Sequence, residues 1–288
     1  MVQAAAAPVR GGRMKPAPFD YVRATDRDEV LEHLHEAGDQ ARILAGGQSL
    51  VPMLNMRLAK PALLIDVMHV EALARIEATA DGIRVGAGVR QAQLLDWATR
   101  DPRLPLLARA LPWVGHAQTR SRGTVVGSIA HADPSAEQPL CLLTLGGSLQ
   151  LRRRRRARSV AAADFFVGMM ATARGDTELI ESVTFPAAQP GCGYAFNEIG
   201  RRHGDFAIVA CAAVATASGA RLGIGGVADI PTVRELPLPD APDFDDALNQ
   251  YAWDLDARDD LHATARYRRE LVRRLGRQTI EEAMQCRN

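Results

Sequence analysis

The sequence contains few cysteines, and none of them are closely spaced. The four are Cys141, Cys192, Cys211 and Cys286, and no two form a C-x-x-C pair. Iron–sulfur clusters and structural zinc sites need several clustered cysteines, so neither is expected within this chain alone. Four scattered cysteines instead predict reduced, mostly buried thiols in a cytoplasmic protein.

Long apolar runs and a strong charge excess are also missing. No stretch approaches the roughly 18 to 20 apolar residues of a membrane span, so the chain is expected to be soluble. Its formal net charge of +1 argues against nucleic-acid binding, which usually needs a basic excess. There is no G-x-x-x-x-G-K-[ST] loop, no H-E-x-x-H pair and no G-x-S-x-G turn. P-loop phosphoryl transfer, zinc-dependent hydrolysis and serine hydrolysis therefore have no support, and no metal ligands are predicted.

The first part of the sequence alternates between helical and strand patterns. Apolar residues at helical spacing predict a helix over 26–37, with Thr25 or Asp26 as N-cap and Gly38 as the stop. Short connections between these elements are typical of an α/β arrangement. Further elements in this part are strands at 41–45, 63–67 and 82–89 and a helix at 90–100.

From about residue 145 the sequence predicts mainly strands, followed by an acidic linker over 237–250. A helix is predicted from about Asp259, with one apolar stripe. The stripe consists of Leu261, Tyr267, Leu271 and Leu275. We expect residues 1–13 to be a disordered extension, with the folded part beginning at Met14. The predicted domains are 14–180, with two subdomains that split near residue 68, and 181–288.

Two adjacent glycines, Gly46 and Gly47, follow the apolar strand at 41–45. Glycine lets successive backbone N–H groups converge on an anion because no Cβ blocks the approach. The side chains of Gln48 and Ser49 could add donors. The alternative interpretation is a tight structural turn, which is the commoner reason for a lone Gly-Gly pair.

A second glycine-containing segment, Arg122 to Ser128, is followed by Asp133 and Glu137. Its small and hydroxyl residues could place backbone amides against phosphates, while the carboxylates accept hydrogen bonds. The alternative is a buried loop with helix caps. His131 and His116 flank the segment and could touch a ligand, although a structural histidine is commoner. The segment Gly86 to Gln91 lacks the third glycine of a dinucleotide fingerprint and predicts a plain strand-to-helix turn.

These pieces together resemble one known family. The segments MKPAPFDYVRA, ILAGGQSLVPMLNMRLAKP, RSRGTVVGSIAHADPSAEQP and GRRHGDFAIVA occur in the order found in the FAD-binding medium subunits of molybdenum hydroxylases. Carbon monoxide dehydrogenase and xanthine dehydrogenase are familiar members. The resemblance covers the chain from residue 14. It implies an α+β fold of the vanillyl-alcohol-oxidase (PCMH-like) type, with two α/β subdomains around FAD and a C-terminal antiparallel sheet with helices.

The resemblance also implies roles for individual residues. Ala45 to Ser49 would wrap the pyrophosphate and ribityl chain of FAD, and the second glycine segment would form the other phosphate-side loop. Asp133 or Glu137 would hold polar groups of the cofactor, and the segment from Tyr194 to Glu198 would lie near the isoalloxazine ring. The full predicted cofactor-binding set is Ala45, Gly46, Gly47, Gln48, Ser49, Leu50, Thr124, Gly127, Ser128, His131, Asp133, Glu137, Ile180 and Tyr194. No catalytic side chain is predicted, because flavin would carry the redox chemistry.

Two positions depart from the family pattern. The second loop usually reads T-I-G-G-S, and Val126 stands where the first glycine is expected. If the backbone there were left-handed, a β-branched residue would cost roughly 1–3 kcal/mol or shift the loop. A basic residue often found near position 198 is replaced by Asn197 and Glu198.

The run from Arg152 to Arg156 is the strongest local charge anomaly. A two-stranded ribbon can keep such arginines in water, and a solvated hairpin tip is the interpretation we favour. The alternative is a docking patch for an acidic partner.

Three functions fit the sequence. The first is an electron-transfer subunit that assembles with a large molybdopterin-binding subunit and a small [2Fe–2S] subunit and passes electrons through FAD to an external acceptor. The second is a free-standing flavoenzyme acting on a small organic substrate. The third is a flavin-free scaffold subunit, for which Val126 is the main support.

Overall fold

The computed structural model describes residues 16–287, so the extension predicted for residues 1–13 lies outside the described part. The helices of the described part are α1 (Arg27–Ala37), α2 (Leu50–Asn55), α3 (Gln91–Arg100), α4 (Pro105–Ala110), α5 (Ala117–Arg122), α6 (Val125–His131), α7 (Glu137–Thr144), α8 (Ala162–Phe165), α9 (Phe244–Asp254) and α10 (Ala265–Gln285). None of these helices is both long and apolar enough to cross a membrane.

The strands of residues 16–287 form four sheets. They are β1 (Asp20–Arg23), β2 (Ala41–Leu44), β3 (Leu63–Asp66), β4 (Ile76–Thr79), β5 (Gly82–Gly86), β6 (Ser148–Arg153), β7 (Arg156–Ala161), β8 (Phe166–Gly168), β9 (Ala171–Thr172), β10 (Leu179–Phe185), β11 (Gly193–Ile199), β12 (Val209–Ala215), β13 (Ala220–Gly225) and β14 (Thr232–Leu236).

The first sheet is parallel, in the order β1-β3-β2, and α1 packs against it. The sequence signals for α1 are confirmed. Asp26 is the N-cap, and its Oδ1 accepts a hydrogen bond of 2.8 Å from the Glu29 backbone N–H. Gly38 ends the helix with a positive φ of 53°, a conformation that glycine adopts without steric cost. This helix and sheet position the first glycine loop, which follows β2.

The second sheet has five antiparallel strands in the order β4-β5-β10-β6-β7. The expected domain boundary near residue 180 falls inside β10, the central strand of this sheet. The predicted arginine hairpin is present as β6 and β7, with Arg154 in the turn at a φ of 35°.

The third sheet, β11-β12-β13-β14, is antiparallel, and α9 and α10 cover one face. Its other face packs on the first domain. Along β11 the side chains alternate between these two sides: Ala195 belongs to the core under α10, whereas Tyr194 and Phe196 belong to the core of the first domain. One face of the sheet therefore belongs to the core of the first domain, and the other face belongs to a separate core with α9 and α10.

Two sequence expectations for the C-terminal part are wrong in detail. The acidic stretch predicted as a linker contains most of α9, whose buried residues include Phe244 and Leu248. The last helix begins at Ala265, so Leu261 lies before it and is 99% exposed. The acidic residues of α9 occupy its solvent side, which is why composition alone indicated a linker.

Candidate functional site

The two glycine segments border one cleft of about 690 Å³. The first lies after β2, and the second lies at the start of α6. Ten residues of the predicted cofactor-binding set line this cleft: Ala45, Gly46, Gly47, Gln48, Ser49, Leu50, Thr124, Gly127, His131 and Ile180. The fold thus brings together residues that are more than a hundred positions apart in the sequence.

The two loops touch each other through their backbones at Gly46. A Cβ added to Gly46 would lie 2.2 Å from the Arg122 carbonyl oxygen and 2.6 Å from the Gly123 Cα. The space that the missing side chain leaves is therefore filled by the second loop. The sequence predicts that the missing side chain leaves room for an anion, whereas in the structure the backbone of the second loop occupies that space. Gly47 has a φ of 71°, a left-handed conformation that glycine adopts at no steric cost.

The second loop is held by a helix cap and by backbone bonds. Thr124 is the N-cap of α6, and its Oγ1 accepts a hydrogen bond of 3.1 Å from the Gly127 N–H. A Cβ on Gly127 would lie 2.6 Å from that oxygen, so glycine permits the cap. The Gln91 N–H donates to the Gly123 carbonyl at 2.8 Å, and the Val125 N–H donates to the Val89 carbonyl at 3.0 Å. These bonds fix the second loop to the segment after β5.

Val126 lies in α6 with a helical backbone, and it is not among the residues with positive φ. The condition for backbone strain at this position, a left-handed backbone, is therefore not met. The side chain is 4% exposed and forms part of the wall of the cleft. A valine there narrows the cleft without distorting the loop.

Four residues of the predicted set do not line this cleft. Ser128 lies in α6 beside it. Asp133 borders a separate cleft of about 690 Å³ against the C-terminal domain, and Met170 lies in the walls of both clefts. Tyr194 lines a third cavity, where its hydroxyl accepts a hydrogen bond of 2.9 Å from the Gln189 N–H. Glu137 is buried at the first turn of α7.

Glu137 and Glu198 form a pair of buried carboxyl groups between the two domains. Glu198 lies on the same face of β11 as Phe196, toward the first domain, and its Oε2 has no hydrogen-bond partner among residues 16–287. Burial raises the pKa of Glu137 to about 7, and the nearby charge of Asp133 also raises it, while Arg120 lowers it. Burial and the charge of Glu137 raise the pKa of Glu198 to about 8. Both carboxyl groups therefore hold a proton more tightly than exposed glutamates do.

Cleft residues that the sequence did not indicate come from several elements. They are Arg42 of β2, Met53 of α2, Met170 and Thr172 of the β8–β9 hairpin, and Arg174 and Leu179 at the entry to β10. Only Arg42 carried a local signal, because it lies in the strand that leads into the first loop. The others reach the cleft through the tertiary fold.

Parts of the arginine run form ion pairs inside the chain. Arg152 Nε lies 2.8 Å from Glu181 Oε2, and Arg154 Nη2 lies 2.9 Å from Glu32 Oε2. Arg153, Arg155 and Arg156 are exposed and form no side-chain hydrogen bond or ion pair within the described chain. The hairpin is thus partly anchored, and the remaining positive charge is at its tip.

The residues of the first cleft fit an FAD molecule. Its volume lies within the roughly 300–1,000 Å³ of small-molecule sites. Polar side chains of Gln48 and Ser49 lie beside the glycine backbone at one part of it. Apolar side chains such as Ile43 and Ile180 also line it. A cleft with both a glycine loop with polar side chains and apolar side chains suits a ligand that has both phosphates and flat rings.

Comparisons with known proteins agree with this geometry. Residues 17–188 match the family model described as the FAD binding domain in molybdopterin dehydrogenase. Residues 194–283 match the CO dehydrogenase flavoprotein C-terminal domain.

The chain is also similar to characterised relatives. It is 37% identical to the 6-hydroxypseudooxynicotine dehydrogenase complex subunit alpha of Paenarthrobacter nicotinovorans, over 94% of this chain and 96% of that protein. It is 35% identical to the nicotine 6-hydroxylase medium subunit of the same organism, over 94% and 99%. Among solved structures, a chain of reconstituted CO dehydrogenase from Oligotropha carboxidovorans superposes with a TM-score of 0.90 at 29% identity, covering 95% of this chain and 100% of that one.

Proposed function

The chain belongs to the family of FAD-binding medium subunits of molybdenum hydroxylases, and from this premise we propose that it is the electron-transfer flavoprotein subunit of such a complex. The chemistry that FAD supplies when bound is reversible electron storage between the [2Fe–2S] clusters of a partner subunit and an external acceptor. The chain itself would bind the cofactor, orient it and shield it from water.

The observation that carries the proposal is the meeting of two glycine loops in one cleft. Backbone N–H groups of the first loop would hold the pyrophosphate, with Gln48 and Ser49 as further donors. Each charge-assisted hydrogen bond of this kind contributes on the order of 1.5–3 kcal/mol. Thr124 and Gly127 keep the second loop in place across the cleft. None of these residues is assigned a role as acid or base.

We infer partner subunits from the names of the relatives and from the lack of closely spaced cysteines in this chain. The two relatives described above are a complex subunit and a medium subunit by name. The four cysteines of this chain are dispersed, and Cys141 and Cys211 are buried apart from any cluster ligand set. We therefore assign the molybdopterin to a large partner subunit and the [2Fe–2S] clusters to a small one.

Two other functions, a flavin-free scaffold and a free-standing flavoenzyme, are alternatives to this proposal. A flavin-free scaffold loses its main support, because Val126 does not strain the loop. A free-standing flavoenzyme would use the same cleft but would need no partner.

The test is expression of the chain with and without its large molybdopterin-binding and small [2Fe–2S] partner subunits. Co-purification with a molybdenum subunit and a ferredoxin-like subunit, and flavin reduction only in that assembly, is expected. Substrate-dependent flavin reduction by the isolated chain would favour the free-standing enzyme instead.

A further inference from the structure

Two arginines, Arg42 and Arg174, line the cofactor cleft away from its glycine loops. Arg42 is the second residue of β2, and the first loop follows the end of that strand. At about 3.3 Å per residue, Arg42 lies on the order of 13 Å along the chain from Gly46. Arg174 precedes β10, whose first residues Leu179 and Ile180 also line the cleft. The two arginines therefore lie in the cleft at a distance from the glycine loops.

The guanidinium group of Arg174 is fixed by backbone carbonyls. Its Nη1 donates to the carbonyl oxygens of Gly175 at 3.0 Å, Asp176 at 3.3 Å and Glu178 at 2.8 Å. These bonds lie at one edge of the planar guanidinium group, so they leave its flat face free for stacking. The carboxylate of Glu178 is itself bound by Arg158 at 2.7 Å and by the Gly175 N–H at 2.8 Å. Arg174 is thus held rigidly, but no carboxylate of the described chain forms an ion pair with it.

Arg42 is held in a similar way. Its Nη1 donates to the Asp39 and Ala41 carbonyl oxygens, both at 2.8 Å, and it forms no ion pair within residues 16–287. Burial lowers the pKa of Arg174, and the positive charge of Arg42 lowers it further. The charges of Asp176 and Glu178 act in the opposite direction. Two guanidinium groups therefore line the same cleft as apolar side chains, and neither forms an ion pair within the described chain.

We propose that Arg42 and Arg174 bind the adenosine half of FAD, with the rigid guanidinium face of Arg174 packing on the adenine ring. This inference rests on the proposed function, since it assumes that FAD occupies the cleft. Guanidinium groups stack well on aromatic faces, and adenine offers such a face. The apolar residues Ile43, Leu179 and Ile180 suit the other side of a flat base, whereas a bare anion would gain nothing from them. The pair would make the site selective for FAD over FMN, because FMN has no adenosine.

The experiment measures ligand binding to the full chain in its complex after removal of flavin. The probes are FAD, FMN, ADP and inorganic pyrophosphate, and the variants are Arg42→Gln, Arg174→Gln and Arg174→Lys. Arg155→Gln is the matched control, since that side chain is exposed at the hairpin tip with no partner in the described chain. We expect Arg174→Gln to weaken ADP and FAD by about tenfold, the range of a partly desolvated cation–π contact, and Arg42→Gln to weaken both in the same direction. FMN and pyrophosphate should change less than twofold.

Arg174→Lys separates stacking from charge. It keeps the positive charge but lacks the plane, so it should weaken ADP about as much as Arg174→Gln does. Full affinity in Arg174→Lys, or equal losses for pyrophosphate and ADP, would mean that the pair binds an anion and would overturn the proposal. Unchanged ADP and FAD binding in both glutamine variants would overturn it as well. Because Arg174→Gln also removes the carbonyl contacts, Arg42→Gln with an unchanged melting temperature provides an independent reading.

The outcomes also separate this inference from the proposed function. If the unmodified protein binds FAD but the arginine variants bind it equally well, only the arginine assignment fails. If the unmodified protein binds neither FAD nor ADP, the proposed function itself fails.

Discussion

Replacing Gly46 by alanine is the sharpest perturbation of the cofactor cleft. The new Cβ would lie 2.2 Å from the Arg122 carbonyl oxygen, although real Cβ contacts essentially never fall below 3.0 Å. Both partners are backbone, so the two loops must move apart by about 1 Å. Overpacking of this kind costs typically about 1–3 kcal/mol of stability. Losing one charge-assisted hydrogen bond to the pyrophosphate would weaken FAD binding by about 10- to 100-fold.

The assay is FAD affinity together with the free energy of unfolding of the flavin-free protein. Gly168→Ala is the control, because its added Cβ would meet only the Ala171 side chain at 3.8 Å, an ordinary contact. We expect Gly46→Ala to lose both stability and FAD affinity and Gly168→Ala to keep both. If Gly46→Ala retains FAD as the control does, the two loops do not form the cradle, and the reasoning is refuted.

Three further predictions concern buried and charged groups. As the pH rises from about 5 to 8, the stability of Glu198→Gln should increase relative to that of the unmodified protein. The relative stability of Glu137→Gln should increase as well. Thermal unfolding across that pH range measures both. Arg152→Ser should destabilise the protein by about 1 kcal/mol because Arg152 pairs with a half-buried acid, whereas Arg155→Ser should stay within about 0.5 kcal/mol in denaturant unfolding. Val126→Gly should lower the free energy of unfolding by at least about 1 kcal/mol, from lost burial and helix propensity.

The sign of the pH prediction follows from proton uptake. The two carboxyl groups have an ordinary pKa of 4.5 in the unfolded chain and about 7 and about 8 in the folded one. Between those values the folded chain holds protons that the unfolded chain has released, so raising the pH weakens folding. Their contribution is fully present below about pH 4.5 and is lost as the pH rises through 7 and 8. A glutamine cannot ionise, so the variant escapes this loss.

Contrary results would be informative for each of these variants. A pH-independent difference between Glu198→Gln and the unmodified protein would mean that the carboxyl group ionises normally. Equal effects of Arg152→Ser and Arg155→Ser would remove the distinction between anchored and tip arginines. A gain in stability in Val126→Gly would show that the valine strains the loop after all. A test of the docking patch should replace only Arg153, Arg155 and Arg156, because Arg152 and Arg154 also hold the chain together.

Local signals predicted much of the first domain. The cap at Asp26, the stop at Gly38 and the positions of both glycine loops follow from short-range rules of backbone conformation and hydrogen bonding. The α+β fold and the C-terminal antiparallel sheet followed from the family resemblance and are confirmed. The C-terminal residues were harder, because the acidic face of α9 concealed its buried stripe.

Non-local geometry explains what the sequence could not predict. Gly46 is a glycine because of Arg122, a residue far along the chain that the fold brings within touching distance. Glu137 and Glu198 belong to different domains, so no spacing rule indicates that the charge of one raises the pKa of the other. Arg174 enters the cleft only because the chain turns into β10 just after it. Such contacts depend on tertiary packing rather than on local propensity.

The flavin content of the native assembly tests the central claim most directly. The chain would be purified in its native assembly, and the released flavin would be identified by chromatography and quantified relative to the protein. We predict one FAD for each copy of this chain, with molybdenum and iron carried by the other subunits. An assembly without flavin, with FMN, or with its FAD bound to another subunit would contradict the account.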